Sequence, residues 1–127
     1  MPDHYLFEYA VIRVVPRVER EEFFNAGVIV YCRDKQYLKT IISLNKEKLK
    51  VVFDKADFEE IEQYLCIFKK ISDGSHDGGP IGKLDVASRF RWLTATRSTV
   101  VQSSKTHPGF CIDPEITLQN LFAQLVL

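Results

Sequence analysis

Across residues 6–15, apolar and β-branched residues fill both alternating sets of positions, the pattern of a central strand covered on both sides. Pro16 ends it, because proline has no N–H to give a ladder. Arg13 stands on the set that also holds Tyr9, Val11 and Val15, so its charge must snorkel from the strand end or meet a carboxylate or a bound anion. Residues 18–25 are polar and acidic up to Phe23 and Phe24, which predicts one or two helical turns. A short apolar strand over 26–32, the polar residues Arg33, Asp34, Lys35 and Gln36, and an alternating stretch over 37–44 read as a hairpin with a longer loop. Behind Asp57 as N-cap and Glu60 at its third helical position, Phe58, Ile61, Leu65 and Phe68 recur at helical spacing. This predicts a long helix over 58–71, whose acidic start and basic end suit the helix dipole. Residues 72–83 hold four of the six glycines and read as an internal loop or lid, too short for a domain boundary. Residues 85–96 fit either a short helix or irregular structure, and 99–103 a last strand. Asp113 and Pro114 open a C-terminal helix with Leu118, Leu121, Phe122 and Leu125 as its stripe. Together these elements predict an α+β fold, a mostly antiparallel sheet of three or four strands with two main helices packed on it.

Composition changes the picture in three ways. With 127 residues, 46% of them hydrophobic and 27% charged, the chain suits a single domain over 1–127 whose core needs no covalent staples. Seventeen basic residues balance seventeen acidic ones, so binding to nucleic acid or a membrane surface through overall charge is disfavoured, and any such binding has to be local. Cys32, Cys66 and Cys111 are odd in number, scattered and set among apolar neighbours, as buried free thiols are; no disulfide framework is expected. The start lacks the basic and apolar regions of a signal peptide, and no run approaches the roughly eighteen apolar residues of a membrane span, which points to the cytoplasm.

The chemistry is concentrated late in the chain. Between Val86 and Ile112 stand four basic residues, Arg89, Arg91, Arg97 and Lys105, and no Asp or Glu. Arginine offers a planar fork of donors for carboxylate or phosphate, and the Ser98 and Thr99 hydroxyls and His107 lie close by in sequence. The alternative is that Arg89 and Arg91 pair with Glu19, Glu21 or Glu22 and hold two regions together. Phe90 and Trp92, interleaved with arginines, could stack on the bases of a single-stranded nucleic acid, although such aromatics more often pack inward. An enzyme acting on a phosphorylated or nucleotide-like substrate would use Arg91 and Arg97 as a clamp and His107 as acid or base. A nucleophilic set would need Ser98, Ser103 or Cys111 beside His107 with Asp113 to orient it, and nothing in the spacing brings them together. The stretch 78–83 resembles a phosphate-binding loop only superficially, since Asp77 replaces the first glycine and Leu84 the required Ser or Thr. The histidines are far apart and the cysteines unpaired in spacing, so no metal site and no cofactor are expected.

Three ordered blocks carry a resemblance over nearly the whole chain. They are the stretch from Tyr9 through Arg13, Arg17, Arg20, Asn25 and Gly27 to Val28; Gly79-Pro80-Ile81-Gly82; and the stretch from Ser88 through Arg89, Arg91, Trp92, Arg97, Ser98 and Thr99 to Gln102, followed by His107-Pro108-Gly109. In these blocks the chain resembles the bacterial domain-of-unknown-function family 3037. That resemblance supplies no activity and no catalytic residue. It marks Arg13, Arg17, Arg20, Arg89, Arg91, Trp92, Arg97, Ser98, Thr99 and His107 as the polar positions to test. It also implies an accessory role beside a HipA-like kinase as protein partner. The expectation is a small non-enzymatic domain that binds an anionic ligand or a protein partner through this arginine-rich patch.

Overall fold

The strand expected at the centre of the molecule is there. In this computed structural model, which describes residues 4–15, 23–52, 58–95, 97 and 99–127, β1 (Tyr5–Val14) pairs antiparallel on one side with β2 (Phe24–Cys32). Its other side is shared: β4 (Val101–Ser103) pairs with Ile12, Arg13 and Val14, and β5 (His107–Cys111) with residues 5–9. Between them Ser104 keeps the ladder closed, its Oγ accepting the Val11 N–H at 2.8 Å and its own N–H donating to the Val11 carbonyl at 2.8 Å. β3 (Tyr37–Ile42) extends the sheet beyond β2, so that the order is β3-β2-β1-β4 with β5 also on β1. Among the described residues the mostly antiparallel sheet therefore has five strands rather than three or four.

Both faces of β1 are buried, as its doubly apolar pattern requires. Ala10, Ile12 and Val14 join Ile29 and Tyr31 in one core, closed by α1 (Lys46–Val52), α2 (Phe58–Asp73) and α4 (Val86–Leu93) through Leu49, Ile61, Leu65, Phe68, Phe90 and Leu93. Phe7 joins Val28, Val30, Cys32 and Cys111 in a second core under α5 (Pro114–Leu125), which contributes Leu118. The Asp113 side chain caps α5 by accepting the Glu115 N–H at 2.9 Å, with Pro114 at its first position, where a missing N–H costs nothing.

Several elements depart from the sequence expectation. β2 begins at Phe24, so Phe24 and Asn25 are extended and not helical; residues 18–22 of that expected turn, and the Asp57 cap, lie outside the described residues. The stretch 72–83 is not an open loop. Gly74, at φ +68°, ends α2 with its N–H on the Ile71 carbonyl and the Ser75 N–H on Lys70, and a 3-10 turn at His76–Gly78 and a single helical turn, α3 (Gly79–Gly82), follow. Pro80 suits that first turn because its φ is already helical. Residues 107–111 form a strand that the sequence reading did not expect: a sheet edge tolerates proline, and at Gly109 an added Cβ would come within 2.8 Å of the Phe7 ring. Cys32 and Cys111 are buried free thiols, but Cys66 is exposed, one position past the buried Leu65 and so off the inner stripe of α2.

Candidate functional site

The arginine-rich block is built around α4. Phe90 and Leu93 anchor this helix to the first core, with the Phe90 ring 4.9 Å from that of Tyr31. Phe90 is therefore core, unavailable for stacking on a base. The anchoring sets Arg91 over β1, where Glu8 projects from the same face. The guanidinium donates from Nη1 to Glu8 Oε1 at 2.9 Å and from Nη2 to Oε2 at 2.7 Å, a bidentate fork. These hydrogen bonds raise the Arg91 pKa above its ordinary value. Arg91 thus finds its counter-charge on Glu8, whereas Glu19, Glu21 and Glu22 lie outside the described residues.

Arg89 serves the turn before the helix. Its Nη1 donates to the Leu84 carbonyl at 2.8 Å, its guanidinium lies against Gly74, and its buried Nε has no hydrogen-bond partner among the described residues. Arg97 comes after the helix and folds back on it. Its Cζ sits 3.9 Å from the centroid of the Trp92 ring, and Nη2 donates to the Trp92 carbonyl. No carboxylate among the described residues lies within ion-pair distance of Arg97, and burial lowers its pKa from the ordinary value.

Thr99 and Gln102 form the turn into β4: Thr99 Oγ1 donates to the Val101 carbonyl at 2.6 Å, and Gln102 Nε2 to the Thr99 carbonyl at 2.9 Å. Gln102 lies opposite Arg13 in the ladder. Arg13 neither reaches a carboxylate among the described residues nor snorkels freely; its Cζ lies over the Phe23 ring, 4.2 Å from the centroid, and its buried Nε has no hydrogen-bond partner among the described residues. Thr99 and Arg13 thus lie at one end of the sheet, where the Val15 N–H donates to the Val100 carbonyl at 2.7 Å, whereas Arg97 is held against Trp92 on α4 and no contact among the described residues joins it to Arg13.

The remaining positions are elsewhere. His107 faces Tyr9 across the β1–β5 ladder with ring centroids 5.2 Å apart, four residues along β1 from Arg13. Strand alternation puts Arg13 and His107 on the face of the second core, and Glu8 with Arg91 on the other. Arg17, Arg20 and Ser98 lie outside the described residues. Ser103 Oγ donates to the Ser104 carbonyl at 2.9 Å, and no hydrogen bond among the described residues joins His107 to Ser103, Cys111 or Asp113.

What the arrangement can do follows from the stacked guanidiniums. A guanidinium held over an aromatic ring by a cation–π contact still has N–H groups to donate, and carboxylates and phosphates accept them. Glu8 and Phe23 escaped the sequence reading. Glu8 did carry a signal: it is the one carboxylate in a strand apolar on both faces, and such a group needs a cation. A cavity of about 670 Å3 opens near the same end of the sheet, between Phe23, Asn25, Asn45, Lys48 and the last residues of the chain. No group of three or more His, Cys, Asp or Glu side chains among the described residues could hold a metal ion.

Against known proteins, a family model described as "Protein of unknown function (DUF3037)" matches residues 9–126. The chain belongs to this family. No curated protein matches it, and no solved structure does. The matched span of this DUF3037 domain includes Arg13, the whole of α4 and His107, and begins one residue after Glu8, the partner of Arg91. No helix among its described residues is long and apolar enough to cross a membrane.

Proposed function

We propose that this DUF3037 domain is a binding module for an anionic group, a carboxylate or phosphate carried by a protein partner, and that Arg97, held over Trp92 beside α4, receives it. The supporting observation is the Arg97 guanidinium, laid on Trp92 with no carboxylate within reach among the described residues. Its own stretch of chain offers none, since residues 87–111 contain no Asp or Glu. Arg89 and Arg91 are spent on the fold, one on a carbonyl and the other on Glu8. A partner is favoured over a small-molecule substrate because Trp92 is 39% exposed and carries the arginine on an open surface. The HipA-like kinase implied by the resemblance is the first partner to try.

Trp92 is the only tryptophan, so its fluorescence reports directly on the guanidinium stacked against it. Inorganic phosphate, a glutamate-rich peptide and a purified HipA-like kinase serve as probes. At least one of them changes the emission saturably, and added salt weakens the effect. The absence of a saturable response to all three overturns the reading.

A further inference from the structure

A second surface, separate from Arg97 and Arg13, exposes large apolar side chains. Leu6 and Phe110 face each other across the β1–β5 ladder and are 53% and 73% exposed, because α2 and α4 cover the sheet over β1, β2 and β3 but leave this corner bare. Ile112, just past β5, and Ile116, at the start of α5, are 66% and 59% exposed. Phe110, Ile112 and Ile116 line one shallow depression of about 440 Å3. On the other side of the Leu6–Phe110 ridge, Leu6 lines a second depression of about 320 Å3 with Glu8, Tyr31, Arg33, Asp34 and Arg91. A ridge with a hollow on either side is a shape that can receive a copy of itself.

We propose that Leu6, Phe110, Ile112 and Ile116 form a self-complementary docking surface for a second copy of this chain. Charge is the first argument. The rim carries Glu8 and Arg91 as an ion pair, with Arg33 and Asp34 adjoining in sequence and both exposed. Two cations and two anions give this hollow no net sign; the other hollow adds Asp113, whose carboxylate is engaged as the α5 cap, and the chain itself has a formal charge of zero. A strongly charged partner gains nothing from such a rim. A two-fold related copy can set each cation against the other's anion, since in an isologous interface every contact occurs twice.

Area is the second argument. The four side chains expose roughly 400–500 Å2 of apolar surface, the size of the largest patch on a typical monomer, which is often functional. A standard interface buries about 800 Å2 on each partner, a little over half of it apolar, which these four residues would supply. The chemistry of the edge also favours a closed pair. Among the described residues β5 hydrogen-bonds in the sheet to β1 alone, but Pro108 gives it a position with no N–H, so a run-on sheet with further copies is interrupted while side-chain docking is not.

Sedimentation equilibrium of the whole chain at tens to hundreds of micromolar tests this. The expected result is a species of about 29 kDa, twice the 14.7 kDa chain, that Phe110→Asp converts to monomer with its circular dichroism unchanged. Ile116→Arg, at an exposed position on α5, is the companion variant should Phe110→Asp unfold, and it too must give monomer. A wild type that stays monomeric throughout the concentration range overturns the proposal. So does a dimer that survives both substitutions.

Discussion

Arg89, Arg91 and Arg97 sit in one short stretch and do three different things, which composition could not separate. Arg91 is fixed by a carboxylate 83 residues away in sequence, Arg89 by a neighbouring carbonyl, and Arg97 by an aromatic ring. The Glu8–Arg91 fork is well aligned, yet the Arg91 side chain is 58% exposed, so water screens most of its attraction. A double-mutant cycle with Glu8→Gln and Arg91→Gln, read by urea denaturation, should give a coupling of about 0.5–1 kcal/mol that shrinks with salt. A residue-level reading of the sequence could find the cations but not their partners, because pairing depends on which face of β1 lies under α4. The chemistry of the candidate site was legible in Arg97 and Trp92, five positions apart in one block. Its position was not, since where Arg97 and Trp92 stand depends on how α4 packs on the sheet through Phe90 and Leu93.

At the scale of elements, the strands and helices with long periodic patterns were readable, and the short ones were not. β1, the β2–β3 hairpin, α2 and α5 all declare themselves because an apolar face repeats along each. α1 buries Leu49 within a lysine-rich run and shows no repeat to find, and β5 is hidden by Pro108 and Gly109, residues that an edge strand tolerates and a central one does not. The hairpin depends on a close backbone approach at Gly27, where an added Cβ would lie 2.6 Å from the Ile41 carbonyl oxygen on β3. Gly27→Ala should therefore force β2 and β3 apart and destabilise the domain by about 2 kcal/mol or more, read as a lowered midpoint in urea with the slope unchanged. A midpoint equal to wild type would mean that the strands separate without cost.

The start of α5 is tied to the sheet by Glu115, which accepts from Tyr37 Oη and, at 3.1 Å, from Lys39 Nζ. The hydrogen bonds from Tyr37 and Lys39 hold the Glu115 carboxyl below the usual carboxylate range, while burial and then Glu115 itself push Tyr37 above its ordinary value. Glu115 is depressed in the folded state, so its contribution is present above the unfolded carboxylate value and is lost as pH falls below about 4. Tyr37 is raised, so its contribution is complete below the unfolded phenol value and fades as pH rises past about 10. Because the Glu115 side chain is 38% exposed, the acid loss should stay under about 1 kcal/mol. Melting temperatures between pH 3 and pH 7 should fall less steeply in Glu115→Gln than in wild type; parallel curves would remove Glu115 from the account.

For the molecule as a whole, a sheet with a core on each face leaves function to its ends and edges. Equal numbers of acidic and basic residues give no long-range pull on any partner, so the proposed anion recognition would rest on a local cation left without a counter-charge. Arg97 is the residue on which that claim stands. The most direct measurement compares wild type with Arg97→Ala in two titrations: urea, for stability, and the anionic probe or partner that quenches Trp92, for affinity. Binding is predicted to weaken by roughly 10- to 150-fold, the loss of about 1.5–3 kcal/mol expected for a charged hydrogen bond, while the urea midpoint moves little. If Arg97→Ala instead lowers stability by several kcal/mol and nothing titrates onto the wild type, the arginine serves an internal ion pair and the binding account is wrong.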